Sequence, residues 1–255
     1  MARANAKDMR RRNDDPVNTL AIDIGGTGLK AAVLDPAGKM VGERVRVPTP
    51  HPCPPALLVS TLEQMVAALP PFDRISVGFP GVIRHGVVLT AVNLDNEGFR
   101  GFPLEKTLAE RLGKPTRVLN DAEVQGLGII EGKRLEVVIT LGTGVGSAIF
   151  IEGRLTPHLE LAHHPLKGHK TYEEYLGNAA RKAVGRKRWN KRVRYMIEVV
   201  RTLTNFDRLY LGGGNAAIVE QPLPANVVLA DNVAGITGGI RLWDDRVWSA
   251  VQIVD

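Results

Sequence analysis

A chain of 255 residues with 44% hydrophobic content is long enough to bury one large core or two moderate ones. Its single cysteine, Cys53, excludes an intrachain disulfide framework and a four-cysteine zinc site, and fits a reducing cytoplasm. The formal charge of +6 favours polyanionic partners, and no stretch reaches the roughly 18 uninterrupted apolar residues of a membrane helix, so a chain free of the membrane is expected.

Residues 1–16, with Arg10, Arg11 and Arg12 and no apolar block behind them, read as a basic solvated tail and not as a signal peptide. The apolar run 17–24 ends in Gly25-Gly26-Thr27-Gly28. Apolar character resumes over 29–34 before the turn Asp35-Pro36-Ala37-Gly38, which makes a hairpin. A third strand follows over 40–47. The spacing of Leu58, Leu62, Met65, Val66 and Leu69 predicts a helix over 56–69, stopped by Pro70-Pro71.

A buried strand over 74–79 ends in Pro80-Gly81, and a short amphipathic helix spans 104–112. The strand 116–119 delivers Asn120-Asp121 to the start of a helix over 122–130. Residues 137–151 repeat the strand, glycine loop, strand plan of 19–34, which implies two halves of similar architecture. From Trp189, residues Val193, Met196, Ile197, Val200 and Leu203 form one stripe of a long helix, with Lys187, Arg188, Lys191 and Arg194 opposite. A strand over 208–211 runs into Gly212-Gly213-Gly214-Asn215, and a last helix is expected over 232–243. Alternating strands and helices predict an α/β fold.

Three glycine-rich turns directly after buried strands are hard to explain by packing, because glycine is entropically costly where no sharp turn or close ligand needs it. Their amides suit phosphate oxygens, with hydroxyls from Thr27 and Thr143 beside them. One such turn alone is more simply a plain hairpin. A carboxylate at Asp121 suits either a general base or a helix N-cap, and its position alone does not separate the two.

Asp23-Ile24-Gly25-Gly26-Thr27-Gly28-Leu29-Lys30 resembles the first phosphate loop of the actin and hexokinase superfamily, and Thr140-Leu141-Gly142-Thr143-Gly144-Val145-Gly146 resembles the second. Leu211-Gly212-Gly213-Gly214-Asn215 resembles the loop that holds the far end of the donor. Within that superfamily the chain is most similar to the ROK kinases and regulators, on Gly78-Phe79-Pro80-Gly81, Leu119-Asn120-Asp121-Ala122, Glu160-Leu161-Ala162-His163 and Tyr172-Glu173-Glu174-Tyr175. The resemblance implies an actin-like ATPase (ribonuclease H-like) fold with two lobes flanking a cleft. The lobes are expected over 17–119 and 120–255, with the last segment returning to the first.

The resemblance further implies a sugar kinase with Asp121 as catalytic base and Gly81, Asn93, Asn120, Asp121, Glu160, His163 and Glu173 around the sugar. On the donor side it implies Asp23, Gly25, Gly26, Thr27, Lys30, Thr140, Gly142, Thr143, Gly144, Gly212, Gly213 and Gly214, with Asp23 near Mg²⁺ through water. The family's zinc cysteines are missing, only nine residues separate His163 from Glu173, and Ala162 replaces the usual glycine. A shorter loop without zinc is therefore expected.

From Arg181 to Arg194 stand eight basic residues and no acidic one. Such a run is usually a solvated helix face. The wording of this region resembles the polyphosphate-dependent glucokinases within the ROK group, which implies that Lys187, Arg188 and Lys191 guide a linear polyanion. The expected partners are glucose, or a hexose such as mannose, and inorganic polyphosphate, with ATP the competing donor and a homodimer implied by resemblance. About sixteen residues precede the first strand, too few for the DNA-binding domain of a ROK repressor. No nucleic-acid partner is expected.

Overall fold

The computed structural model describes residues 16–230 and 234–254. Strand β1 (Thr19–Ile24) is buried along its length except at Asp23, as a central strand covered on both faces must be. It pairs antiparallel with β2 (Gly28–Leu34), which pairs with the edge strand β3 (Met40–Pro48). Helix α1 (Pro55–Val66) presses Leu58, Leu62 and Met65 onto this sheet, and stops three residues earlier than its apolar spacing suggests. Strand β4 (Arg74–Phe79) runs parallel to β1 on its other side.

The hairpin of β5 (Ile83–Arg84) and β6 (Val87–Val88), the short α2 (Asn96–Phe99) and helix α3 (Leu104–Leu112) lead to β7 (Thr116–Asn120), parallel to β4. The first sheet thus has the order β3-β2-β1-β4-β7. Helix α4 (Asp121–Leu127) begins where β7 ends. It stops at Gly128, so Ile129 and Ile130 lie outside the helix that the pattern over 122–130 predicts.

Strands β8 (Leu135–Leu141), β9 (Val145–Ile151) and β10 (Arg154–Leu155) open the second sheet, followed by the small ladder of β11 (Pro165–Lys167) and β12 (Lys170–Thr171). Three helices follow: α5 (Tyr172–Leu176), α6 (Asn178–Val184) and the long α7 (Arg186–Thr204). On α7, Trp189, Val193, Met196, Ile197 and Val200 are buried at helical spacing, and Trp189 Nε1 donates to Leu176 O at 2.7 Å. Strands β13 (Arg208–Gly212) and β14 (Val227–Leu229) complete the order β10-β9-β8-β13-β14.

The two sheets share one plan. Each has a central strand with an antiparallel hairpin partner on one side and a parallel strand on the other: β1 with β2 and β4, β8 with β9 and β13. Asp23 stands opposite Lys30 and Gly78, as Thr140 stands opposite Gly146 and Gly212. Corresponding positions at the ends of the two central strands therefore carry the polar side chains.

The C-terminal segment differs from the single helix expected over 232–243, whose first two residues lie outside the described residues. Helix α8 (Ala234–Thr237) gives way to a 3₁₀ turn (Gly238–Trp243), and α9 (Asp245–Val254) follows. The reason is close approach: a Cβ on Gly238 would overlap the Val124 carbonyl of α4. Ser76 Oγ on β4 donates to Gly239 O at 2.6 Å and accepts from Trp243 Nε1 at 2.9 Å. Arg117 on β7 donates to Leu242 O at 2.6 Å and stacks on Trp243, 4.3 Å from the ring centre. This segment thus ties α4 to the first sheet.

Candidate active site

The ends of both sheets face a cleft of about 510 Å³. It is lined by Asp23, Gly25, Gly26, Thr27 and Lys30 from the first glycine turn, Thr140, Gly142, Thr143 and Gly144 from the second, and Gly213 and Gly214 from the third. Gly81, Asn93, Asn120, Asp121, Glu160, His163 and Glu173 line it as well. Residues up to 191 positions apart in sequence therefore meet in one cavity, Asp23 and Gly214 being the farthest.

The third turn meets the second because Gly213 has a φ of +80° and its α-carbon lies against the backbone of Leu141, where a side chain would clash. Gly212 sits behind the cleft surface, facing Gln125. The carboxylate of Glu173 lies over Gly144, and Glu173 N donates to Ala162 O at 3.0 Å, which ties α5 to the loop carrying Glu160 and His163.

At the start of α4, the N-cap is Asn120 and not Asp121. Asn120 Oδ1 accepts from Ala122 N at 2.9 Å, and Glu123 Oε2 accepts from Asn120 N at 3.1 Å. Asn120 Nδ2 also donates to Gly81 O at 3.1 Å and reaches Phe79 O at 3.5 Å, so this amide pins the loop after β4. Asp121 is left at the first helical position, accepting from Ala122 N at 2.8 Å and half-buried on the cleft wall.

Loss of water around Asp121 is the main reason its carboxyl is pushed up to about 7; the charge of Asp23 adds to the rise, the Ala122 N–H opposes it, and Glu160 and Glu123 add further. Asp23 has a different setting. Its Oδ2 pairs with Lys30 Nζ at 2.7 Å across the β1–β2 ladder. Asp23 offers oxygen donors alone, which fits a hard divalent cation keeping most of its waters and taking phosphate oxygens.

His163 lines the cleft, while the ring of His164 lies 6.3 Å from that of Tyr172 and His169 lines a separate recess. Among the described residues no group of three His, Cys, Asp or Glu side chains stands together as a metal cluster.

Lys187, Arg188 and Lys191 are exposed on α7, and none of them lines the cleft. The apolar stripe of α7 faces the second sheet, which turns these cations outward. Arg44 and Arg46 on β3 line the cleft instead, and among the described residues neither has an ion pair or hydrogen bond. Alternation of Arg44-Val45-Arg46 on a strand beside the first glycine turn is the signal that would have found them. His158 also lines the cleft, with Nδ1 2.7 Å from Glu123 Oε1 and Nε2 3.6 Å from Glu160 Oε2.

The ROK family model matches residues 19–179. A polyphosphate glucokinase of Mycobacterium tuberculosis is 30% identical over 232 residues, covering 85% of this chain and 88% of that protein. The crystal structure of an inorganic polyphosphate/ATP-glucomannokinase from Arthrobacter sp. strain KM superposes with a TM-score of 0.80 at 34% identity, over 89% of this chain and 97% of that one. A ROK family glucokinase from Streptomyces griseus, solved with glucose and AMPPNP, shares the fold with a TM-score of 0.73 at 19% identity, over 88% of this chain and 98% of that one.

Proposed function

The chain belongs to the ROK family and is a sugar kinase of actin-like fold, and we propose that it transfers the terminal phosphoryl group of inorganic polyphosphate to the 6-hydroxyl of glucose or a close hexose. The observation that carries this reading is the meeting of three glycine turns in one cleft with Asp121, a carboxylate that has no cation partner among the described residues. Asp121 accepts the proton of the attacking hydroxyl, and burial together with neighbouring carboxylates raises it towards neutral pH, where a general base is most useful. Asn93, Asn120, Glu160, His163, Glu173 and the backbone at Gly81 surround the hydroxyls of the ring.

The phosphoryl group being transferred needs positioning and charge neutralisation more than covalent help. The amides of the three turns, with Thr27, Thr143 and Lys30, supply these at the cleft. Mg²⁺ bound near Asp23 through water would neutralise charge building on the bridging and terminal phosphate oxygens. Arg44 and Arg46 support the choice of a polyanion, since two cations with no ion pair or hydrogen bond among the described residues line the same cleft as the glycine turns. The helix cations Lys187, Arg188 and Lys191 lie outside the cleft, where a longer chain passes before its end is held.

The glucomannokinase relative is a polyphosphate/ATP enzyme, which supports ATP as the second reading. A coupled glucose 6-phosphate assay with each donor alone separates the two. Polyphosphate is expected to give the higher kcat/KM. A preference for ATP of roughly tenfold, about 1.4 kcal/mol in transition-state binding, overturns the donor assignment and leaves an ATP-dependent glucokinase.

A further inference from the structure

His158 touches two of the carboxylates that shape the cleft. Its Nδ1 lies 2.7 Å from Glu123 Oε1 and its Nε2 lies 3.6 Å from Glu160 Oε2, close enough for an ion pair and too long for a hydrogen bond. The imidazole is 11% exposed and Glu123 is 6% exposed, so the contact is largely screened from solvent. Among the described residues Nε2 has no hydrogen-bond partner, and it is itself out of contact with solvent. A neutral ring would leave the buried Glu123 and the partly exposed Glu160 facing a single N–H.

Both partners are tied to the chemistry. Glu123 holds Asn120 N through its other oxygen, Oε2, and so fixes the first turn of α4, on which Asp121 stands. Glu160 Oε1 accepts from Ala162 N at 3.2 Å, and this fixes the loop that carries His163. One ring thus spans the wall bearing the base and the loop bearing a sugar carboxylate.

We infer that His158 is a positioning residue, held as an imidazolium, that clamps Glu123 to Glu160 and sets the distance and charge between the base and the sugar-binding loop. Four carboxylates bear on this part of the cleft: Asp23 from β1, Asp121 and Glu123 from α4, and Glu160 from the loop after β10. The cations facing them are Lys30, paired with Asp23, and His158, with His163 acting on Glu160. Burial works against a charged His158 ring, but hydrogen bonding to Glu123 and the nearby Glu160 charge outweigh it and push it up to about 10. Burial likewise opposes the charge of Glu160, and His158, with help from His163, still holds that carboxyl below its ordinary value.

The inference rests on the proposed roles of Asp121 and Glu160, and its two experiments separate its failure from theirs. The first needs no turnover: ¹⁵N NMR of the histidine rings in the intact wild-type chain between pH 5 and 9. His158 is expected to keep both ring nitrogens protonated throughout. Titration of its signal near pH 6.5, the ordinary histidine value, overturns the inference whatever the enzyme does.

The second compares His158→Gln, which keeps a donor for Glu123 without charge, with His158→Leu, which removes both. In His158→Gln the acid limb of kcat/KM is expected to move to higher pH, because Glu123 and Glu160 then act on Asp121 without a counter-charge. Glucose KM is expected to rise roughly tenfold, the size of one charge-assisted hydrogen bond, with kcat above the limb changed less. His158→Leu is expected to shift the limb further. A His158→Gln variant with wild-type pH profile and glucose KM overturns the clamp. A wild-type enzyme that phosphorylates no hexose instead overturns the proposed function and leaves the NMR result to decide the charge of His158.

Discussion

Asp23 and Asp121 are the same residue type at the ends of two strands of one sheet, with only β4 between them, yet the molecule treats them in opposite ways. Asp23 looks across a hairpin at Lys30, 2.7 Å away. Asp121 has no cation within reach among the described residues; it has three other carboxylates acting on it and a backbone amide beneath it. The contrast teaches that loss of water and local pairing, and not residue identity, decide whether a carboxylate sits against a cation beside the first glycine turn or becomes a proton acceptor near neutrality.

The sharpest way to break the contrast is Asp121→Asn. The amide can still hydrogen-bond the 6-hydroxyl and cannot take its proton, so kcat is expected to fall about 10²- to 10⁴-fold with glucose binding kept. The wild-type acid limb of kcat/KM is expected near pH 7 and is absent from the variant's residual rate. Stability moves the other way. The folded carboxyl titrates at about 7, above its ordinary value of 3.8, so its contribution is full below roughly pH 4 and is lost as pH rises through about 7. Thermal melts are therefore expected to show Asp121→Asn above wild type at pH 8, with the gap closing towards pH 4.

Lys30→Met makes Asp23 resemble Asp121 by removing its partner. Donor kcat/KM is expected to fall roughly 10- to 100-fold, the range of one charge-assisted hydrogen bond. The acid limb should move upward as well, because Asp23 already raises Asp121 and would then do so without compensation. An unchanged limb in a steady-state pH series would show that Lys30 does not set the charge felt at Asp121.

Gly78→Ala tests the spacing between the two. Gly78 stands beside Asp23 in the ladder, and a Cβ on it would lie 3.2 Å from Asp121 Cα and 3.6 Å from Val124 Cβ. Crowding of this kind costs about 1–3 kcal/mol of stability, read by denaturant unfolding, and kcat is expected to drop with it as α4 shifts. The smallest effect is expected from charge reversal at Lys187, Arg188 and Lys191. Long-chain polyphosphate is expected to lose a few-fold in kcat/KM and part of its salt dependence, while tripolyphosphate and glucose kinetics stay as they were. A loss equal for short and long chains would move these cations from the outer path to the donor site itself.

Much of the candidate site was legible because its motifs are locally expensive. Glycines at Gly25, Gly26, Gly142, Gly144 and Gly213 after buried strands need a reason beyond packing, and phosphate approach supplies one. Asn120 and Asp121 were legible as a pair at a strand end, but which of them caps α4 was not, since either side chain can reach an amide and the Glu123 contact decides it. The last helix was misjudged for a tertiary reason: Gly238 and Gly239 pack against Val124, Ser76 and Ala21, residues more than a hundred positions away.

By itself the sequence determined the strand and helix alternation, the repeat of strand, glycine loop and strand, and the residue types that a sugar and a phosphate chain require, because these depend on backbone cost and periodicity within short windows. The tertiary structure alone decided which charges share a space. It turned the α7 cations away from the cleft because their helix must bury Trp189 and Val193 against the second sheet, and it brought Arg44 and Arg46 to the cleft on an edge strand. It set His158 between Glu123, 35 positions earlier, and Glu160, a contact that no periodicity encodes because electrostatic partners are fixed by distance in the folded chain.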